Sequence, residues 1–201
     1  MSDTAGGPAL SDLATPLSSP KPRTPRTPPT PPTPPTPPTP PTPPTATVLR
    51  AALGRFATGV TIITCRDAAG APVGLTANSF SALSLDPPLV LWSLRKASSS
   101  MAAFAAAPHF AVNVLAETQV DLSRRFAASQ NDKFAEGHWA DGCGGVPVLS
   151  GCAAVFECAL QASHDAGDHV LFIGTVLRLA DLALAPLLFQ GGHYRMLGEV
   201  L

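Results

Sequence analysis

The feature that most constrains this chain is a run of six consecutive Pro-Pro-Thr triplets over residues 28–45. Seventeen of the 23 prolines fall within the first 45 residues. Proline removes a backbone donor, and the tract has too little apolar surface to offset the entropy of folding. We therefore predict a disordered, polyproline II-like tail over residues 1–45 and one folded domain over residues 46–201. Four interpretations of the tail stay open: a leader without a partner, an over-extended gene start, a glycosylated stalk, or a proline-rich ligand.

The charge of the folded part excludes some partners. The tail carries three basic residues against two acidic ones, which leaves the remainder of the chain near −2. No basic stripe or recognition signature predicts nucleic-acid binding. No apolar run approaches the length of a membrane span, and the N-terminus lacks the pattern of a signal peptide. We expect a protein of the cytoplasm that binds neither nucleic acid nor membrane.

The cysteines indicate free thiols. Their spacing contains no Cys-x-x-Cys pair, so neither a zinc site nor a redox motif is predicted, and no metal ligand is assigned. Free buried thiols fit a reducing compartment. The four are Cys65, Cys143, Cys152 and Cys158.

The hydrophobic pattern predicts more strands than helices. Helical spacing covers 47–56, with Thr45 or Thr47 as the cap, and helices are also expected over 98–107 and 118–127. Strands are expected over 60–65, 73–84, 89–94, 110–115, 153–163 and 169–180, with one more near the C-terminus. The two long adjacent strands indicate a hairpin. The pattern favours a mainly β fold, an antiparallel barrel with peripheral helices, over a doubly wound sheet.

One predicted strand has polar residues where packing residues are expected. The segment Gly74–Phe80 places Thr76, Asn78 and Ser79 in its middle. These side chains are small and carry hydroxyl or amide groups, so a flat ligand can lie against the backbone. The segment predicts one wall of a ligand site.

A second cluster follows the third strand. Ser93–Ser100 combines an arginine, a lysine and several hydroxyls just before a predicted helix. Cations and helix N–H groups are what a phosphate group requires, although a capped helix with two solvated charges is an alternative. Together the two segments predict a phosphorylated planar ligand.

The remaining candidates are His169, at a predicted hairpin tip, and Tyr194, in a Gly-Gly-His-Tyr turn. The chain has no Gly-x-Ser-x-Gly, His-Glu-x-x-His, Gly-x-Gly-x-x-Gly or Walker motif. Chemistry performed by a bound cofactor is therefore favoured, with the protein supplying position and electrostatics.

Five ordered blocks resemble the short-chain flavin reductase family, whose domain is the flavin reductase-like, FMN-binding split barrel. The resemblance covers about residues 48–197, and three further short segments, at 123–127, 132–134 and 145–148, are also similar. The blocks are Arg55–Val60, Leu75–Phe80, Ser84–Val90, Phe110–Leu115 and Ala166–His169.

The resemblance implies a homodimeric split β-barrel that holds FMN or FAD, reduced by NADH or NADPH. Carried over residue by residue, it gives a flavin ring wall, a phosphate corner, a closing side and a nicotinamide contact. The ring wall is Thr76, Ala77, Asn78 and Ser79; the phosphate corner is Ser93, Lys96, Ser98 and Ser100; the closing side is Phe126, Ala127 and Lys133; His169 meets the nicotinamide and Tyr194 borders the cleft. Family members often carry Ser or Asp at the position of Ala97, so this sequence departs from the family pattern in the phosphate corner.

The implied function is an NAD(P)H:flavin oxidoreductase that supplies reduced flavin to a flavin-dependent monooxygenase. Two alternatives stay open: a flavin-binding or storage protein without turnover, and an enzyme of the pyridoxamine phosphate oxidase type. The sequence does not distinguish FMN from FAD or NADH from NADPH.

Overall fold

The computed structural model describes residues 42–129 and 132–199. Except for its last four residues, the tail predicted as disordered lies outside the described residues. Residues 42–45 lead irregularly into the first helix. The Thr45 hydroxyl accepts a hydrogen bond from the Val48 amide, so Thr45 is the N-cap.

The described residues form three α-helices and twelve strands. The helices are α1 (Ala46–Leu53), α2 (Met101–Ala106) and α3 (Val120–Ala127). The strands are β1 (Thr58–Gly59), β2 (Thr61–Arg66), β3 (Pro72–Ala77), β4 (Ser81–Leu85), β5 (Pro88–Arg95), β6 (His109–Val114), β7 (Trp139–Asp141), β8 (Pro147–Leu149), β9 (Ala154–Ala166), β10 (His169–Asp181), β11 (Leu188–Gln190) and β12 (His193–Arg195). Single 3₁₀ turns lie at Glu117–Gln119, Lys133–Ala135 and Cys143–Gly145.

Seven strands form one antiparallel sheet in the order β3-β2-β6-β9-β10-β5-β4. The two outer strands, β3 and β4, follow each other in the chain and are joined only by residues 78–80. Three residues span a short distance, so the sheet must curl until its outer strands approach each other. Among the described residues these two strands do not pair, so the barrel is split there. The prediction of a mainly β, antiparallel split barrel with peripheral helices is confirmed.

The strand expected over 73–84 is interrupted. β3 ends at Ala77 and β4 begins at Ser81. The Ser79 hydroxyl accepts from the Ser93 amide and donates to the Ser93 carbonyl, both at 3.0 Å. A side chain thus occupies the backbone groups of β5 at this point, and the strand pairing resumes only at Ser81.

Other boundaries differ from the sequence expectation: the helix expected over 47–56 ends at Leu53, and the one expected over 118–127 begins at Val120 after a 3₁₀ turn. The long strands continue to Ala166 and resume at His169, so the predicted five-residue connection is a two-residue turn with Gly167 at φ 62°. The helix expected from Ser98 begins at Met101. The Ser98 hydroxyl accepts from the Ser100 amide at 3.3 Å and holds this segment in a turn.

The core has two apolar clusters, one of them centred on Trp92. This ring stacks on Phe172 with centroids 4.7 Å apart and contacts Phe104 and Phe110 edge-on. Each such pair contributes about 0.5–1.5 kcal/mol beyond burial. The second cluster surrounds Phe126 under α3. Of the described helices, none has the length and hydropathy needed to span a bilayer.

One polar side chain crosses this core. Asn113 on β6 is fully buried, and its Nδ2 donates to the Ile62 carbonyl and to the Thr64 hydroxyl. Its Oδ1 accepts from the Leu149 amide at 2.8 Å. The amide therefore joins β2, β6 and β8 with both ends of the side chain satisfied.

Candidate functional site at the split of the barrel

A cavity of about 740 Å³ opens where β3 and β4 fail to pair. Its walls come from β3 and the link that follows it, the end of β5 with residues 97–100, the C-terminal end of α3, and the start of β10. The volume falls within the roughly 300–1,000 Å³ of small-molecule sites. The gap in the sheet therefore provides space for a ligand.

All but two of the residues predicted from the sequence line this cavity. They are Thr76, Ala77, Asn78, Ser79, Ser93, Ser98, Ser100, Phe126, Ala127, Lys133 and His169. These residues come from segments far apart in the chain, and the curl of the sheet brings them together.

Lys96 lies outside the lining. Its Nζ pairs with Asp165 at 3.2 Å, beside the hairpin turn. Arg95 lines the cavity instead; it belongs to the predicted Ser93–Ser100 cluster but was not assigned to the phosphate corner. Ser93 and Arg95 are two residues apart on one strand and share a face, so the alternation of β5 was the signal that could have identified Arg95.

Tyr194 also lies outside the lining. Its hydroxyl is 2.9 Å from the Ser123 hydroxyl, which is fully buried on α3. The Arg124 guanidinium lies 5.7 Å from the centre of its ring. Tyr194 thus ties β12 to the helix that carries Phe126 and Ala127.

The hydroxyls of the polar wall form hydrogen bonds to backbone groups of the protein. Thr76 donates to the Ser123 carbonyl at 2.6 Å, and Ser79 bonds the backbone of Ser93. Asn78 is exposed, and its amide makes no hydrogen bond within the described residues. Of the three polar side chains in this segment, Asn78 is therefore the one available to a ligand.

The electrostatics of the cavity favour an anion. Arg95, Lys133 and His169 line it, and the described lining contains no Asp or Glu. Lys133 Nζ donates to the Phe126 carbonyl at 3.0 Å and the Gly74 carbonyl at 3.4 Å. Burial lowers the pKa of Lys133, so its charge lacks full solvation. An anionic ligand would compensate for this loss.

His169 stands at the mouth of the cavity directly after the turn. Its Nδ1 is 2.7 Å from Asp168 Oδ1, and its side chain is 37% exposed. The hydrogen bond from His169, together with its charge, lowers the pKa of Asp168. With Nδ1 engaged by the carboxylate, Nε2 is the nitrogen left for a ligand.

Gly74 lets an aromatic wall approach β3. A Cβ at this position would lie 2.7 Å from Phe126 Cε1 and 3.1 Å from Phe134 Cζ. Phe126 in turn packs edge-on against Phe134, with centroids 5.0 Å apart. The absence of a side chain on Gly74 therefore keeps the Phe126 ring in the cavity wall.

The thiols are not placed for chemistry in this cavity. None of the four lines it, and burial raises the pKa of Cys65, Cys152 and Cys158 to about 12. The site offers flat surfaces, one free amide and cations. Such a set binds and orients a planar anionic molecule, and it fits the isoalloxazine ring and phosphate of a flavin.

Comparison of the sequence with known proteins identifies one family and several similar proteins. The profile of the flavin reductase like domain matches residues 53–198. A Rhizobium meliloti (strain 1021) protein named "Probable flavin reductase" is 49% identical over 146 residues, 73% of this chain but 47% of that protein. The Agrobacterium fabrum protein named FMN reductase (NADH) SmoA is 49% identical over 145 residues, 72% of this chain and 82% of its own length. This chain thus spans about half of the first relative and about four-fifths of the second.

Among solved structures, Streptomyces globisporus NADH:FAD oxidoreductase SgcE6, in complex with NAD and FAD fragments, superposes with a TM-score of 0.71. It is 38% identical, and the match covers 75% of this chain and 91% of that one.

Proposed function

The chain belongs to the flavin reductase-like domain family, and on that premise we propose that it is an NAD(P)H:flavin oxidoreductase acting on FMN or FAD. The observation that carries the proposal is the cavity at the split of the barrel, with its free amide, its cations and no acidic side chain in the described lining. The names of the Agrobacterium and Streptomyces proteins, one an FMN reductase (NADH) and the other bound to NAD and FAD fragments, support it.

We assign the flavin ring to the β3 side of the cavity. The backbone of Thr76 and Ala77 and the amide of Asn78 would face the ring, and Phe126 and Ala127, at the end of the helix that packs against β3, would border it. Ser93, Ser98 and Ser100 would meet the phosphate, with Arg95 supplying charge in place of Lys96. Lys133 provides a second positive charge whose carbonyl contacts hold it at the cavity wall.

The protein's part in the reaction is positioning. A flavin held in this cavity would supply the hydride acceptor, and the reacting atoms would have to approach to about 3–3.5 Å. His169, oriented by Asp168, would contact the nicotinamide through Nε2 at the mouth of the cavity. Tyr194 would act indirectly, because its hydrogen bond with Ser123 holds α3 in position. No side-chain nucleophile is needed for this chemistry.

We further propose a homodimer. α1 buries none of its residues, yet Val48, Leu49 and Leu53 are 61%, 47% and 64% exposed. Exposed aliphatic residues on one helix face are typical of a surface that another subunit covers. Sedimentation of the full chain should show a dimer, and the Leu53→Asp variant should sediment as a monomer.

We also propose a flavin-dependent monooxygenase as the acceptor of the reduced flavin, acting in the cytoplasm. Several relatives are named as reductase components of such monooxygenases, among them a trigonelline monooxygenase of Acinetobacter baylyi. The four free thiols are compatible with a reducing compartment.

The test is the oxidation of NADH and NADPH by the purified full chain, with and without added FMN or FAD. Flavin-dependent oxidation is expected, and His169→Ala should lower kcat/KM about tenfold or more. His138→Ala, at an exposed histidine outside both the cavity and its walls, is the matched control. Tight flavin binding without any nicotinamide oxidation would instead identify a flavin-binding protein without turnover.

A further inference from the structure

The segment that follows α3 places Lys133 in the wall of the cavity. Residues 132–136 form a single 3₁₀ turn with its flanks, and the Lys133 ammonium donates to the carbonyls of Phe126 at 3.0 Å and Gly74 at 3.4 Å. Within the described residues Lys133 forms no ion pair. Its contacts are neutral carbonyl groups, so its positive charge is available to a ligand in the cavity.

Two acidic residues flank Lys133 in the chain, and a carboxylate that paired with it would remove this availability. Asp132 directly precedes Lys133, but consecutive side chains of a helical turn do not face each other. Glu136 follows three residues later, and residues three apart lie close together in a 3₁₀ turn. Burial lowers the pKa of Lys133, the direction opposite to that which a neighbouring carboxylate would cause. Glu136 is therefore the potential competitor for Lys133, yet the two are not paired.

Arg125 on α3 engages the Glu136 carboxylate. Its Nη2 donates to Glu136 Oε1, and its Nη1 donates to the Asp132 carbonyl at 2.8 Å. The Arg125 side chain is 22% exposed, the lowest fraction among the described arginines that form ion pairs. Partly buried pairs are screened less by salt than pairs in solvent. Arg125 therefore holds the carboxylate that Lys133 would otherwise attract.

The turn has other anchors besides Arg125. Phe134 packs edge-on against Phe126 with ring centroids 5.0 Å apart, and against Trp139 at 4.8 Å. These aromatic contacts fix the turn to α3 and to β7 without any charged group. Loss of Arg125 therefore changes chiefly which group the Glu136 carboxylate can reach.

We propose that Arg125 is a positioning residue of the flavin site. By pairing with Glu136 it prevents this carboxylate from neutralising Lys133, and it thereby keeps the Lys133 ammonium available to the flavin. Arg125 acts through Lys133, since it does not itself line the cavity. The inference rests on the proposed function, because it names what maintains the positive charge of that site.

The first test measures FMN binding to the full chain by fluorescence titration. Arg125→Gln should weaken FMN binding about fivefold, because Glu136 is then free to pair with Lys133. Glu136→Gln alone removes the competitor, so its FMN affinity should stay within about twofold of wild type. The combined variant should also bind within about twofold of wild type. A contact that only held the turn in place would be broken by either substitution and would not be restored by both.

Arg66→Gln is the matched control. Arg66 likewise donates to a backbone carbonyl, that of Gly145, and to a carboxylate, that of Asp141, but it lies outside the cavity. Its FMN affinity should stay within about twofold of wild type even if the variant is less stable. A loss in Arg66→Gln equal to that in Arg125→Gln would make the effect one of stability and would overturn the inference.

The second test reads the charge of Lys133 without any flavin. Acetic anhydride labels only neutral amines, so the pH midpoint of labelling reports the pKa of an accessible lysine. The chain has three lysines, and Lys21 and Lys96 serve as internal references for the reagent. Arg125→Gln should move the Lys133 midpoint to higher pH, because a neighbouring carboxylate favours the ammonium form. Adding Glu136→Gln should return the midpoint to the wild-type value.

The outcomes separate this inference from the proposed function. Equal losses of FMN affinity in Arg125→Gln and Glu136→Gln, without rescue in the combined variant, would overturn the inference. An unchanged Lys133 midpoint in Arg125→Gln would do the same. A wild type that binds FMN but oxidises no nicotinamide would overturn the proposed function, while the rescue by Glu136→Gln would still support the role of Arg125.

Discussion

Two asparagines in strand-rich segments show how different the roles of similar residues can be. Asn113 is fully buried on β6, and both ends of its amide are bonded to β2 and β8. Asn78 lies between β3 and β4, is exposed, and has no hydrogen bond within the described residues. In the sequence both appear as an asparagine among strand-forming residues.

The difference lies in the hydrogen-bonding capacity that each amide has left. A satisfied buried amide specifies how strands are arranged, because breaking it leaves several groups unpaired. An unsatisfied amide at a cavity wall contributes nothing to the fold and is available to a ligand. Polarity in a strand therefore indicates a functional site only where the protein does not itself use the polar groups.

The largest expected effect comes from Asn113→Leu. The substitution leaves the Leu149 amide and the Ile62 carbonyl without their side-chain partner, at about 1–3 kcal/mol per buried group. We expect a loss of roughly 3 kcal/mol in the free energy of unfolding and a drop of roughly 10 °C in Tm. Urea and thermal unfolding measure it. A loss below about 1 kcal/mol would contradict the structural role given to Asn113.

Gly74→Ala should have the next largest effect, and it should affect both the core around Asn113 and the wall of the cavity. Gly74 pairs with Thr64, a partner of Asn113, on one side of β3 and contacts the Phe126 ring in the cavity wall. The new Cβ would force that ring aside, at a cost of about 1–3 kcal/mol. We expect both lower stability and weaker flavin binding, measured by unfolding and by fluorescence titration. Gly70→Ala, where nothing lies within 4 Å of the added Cβ but φ is 80°, tests backbone strain alone.

Asn78→Leu makes the same asparagine-to-leucine change at the cavity wall that Asn113→Leu makes in the core. Because the amide has no partner within the described protein, the free energy of unfolding without flavin should change by less than about 0.5 kcal/mol. Flavin affinity should fall about tenfold, the loss of one ligand hydrogen bond. The contrast between the two leucine variants fails if Asn78→Leu is destabilised as much as Asn113→Leu.

The smallest effect concerns a third polar group, Glu157, which like Asn113 is satisfied within the protein. Burial raises the pKa of its carboxyl, but hydrogen bonds from Cys143 and the charge of Arg178 outweigh burial and lower it overall. Its stabilising contribution is therefore present above the unfolded pKa of about 4.3 and is lost as the pH falls through the lower folded value.

Acid unfolding of Glu157→Gln should show a shallower loss of stability below about pH 5, with the share of Asp168 retained. Asn78→Leu should follow the wild-type pH profile and serves as the comparison. An unaltered profile in Glu157→Gln would contradict the assignment.

The sequence was sufficient for the fold class and for most of the cavity lining. Strand periodicity predicted the strands of the seven-stranded sheet, with β3 and β4 as one strand, but not β1, β7 or β8, and ordered motifs predicted the residues of the polar wall. It was not sufficient for the break at Asn78, which depends on the Ser79 hydroxyl bonding β5 fourteen residues away. Nor did it predict that Lys96 turns toward Asp165, since that depends on how far the hairpin extends. The long-range geometry that decides both is absent from any local pattern.

The link between β3 and β4 also bears on how such a protein can change over evolutionary time. Its three residues have no strand partner whose register they must keep, and only Ser79 is tied to a neighbouring strand. Under the proposed role of Asn78, its replacement would change ligand recognition without altering the pairing of any of the seven strands. Single substitutions at this position could therefore alter ligand preference during evolution, while selection for stability acts on residues such as Asn113.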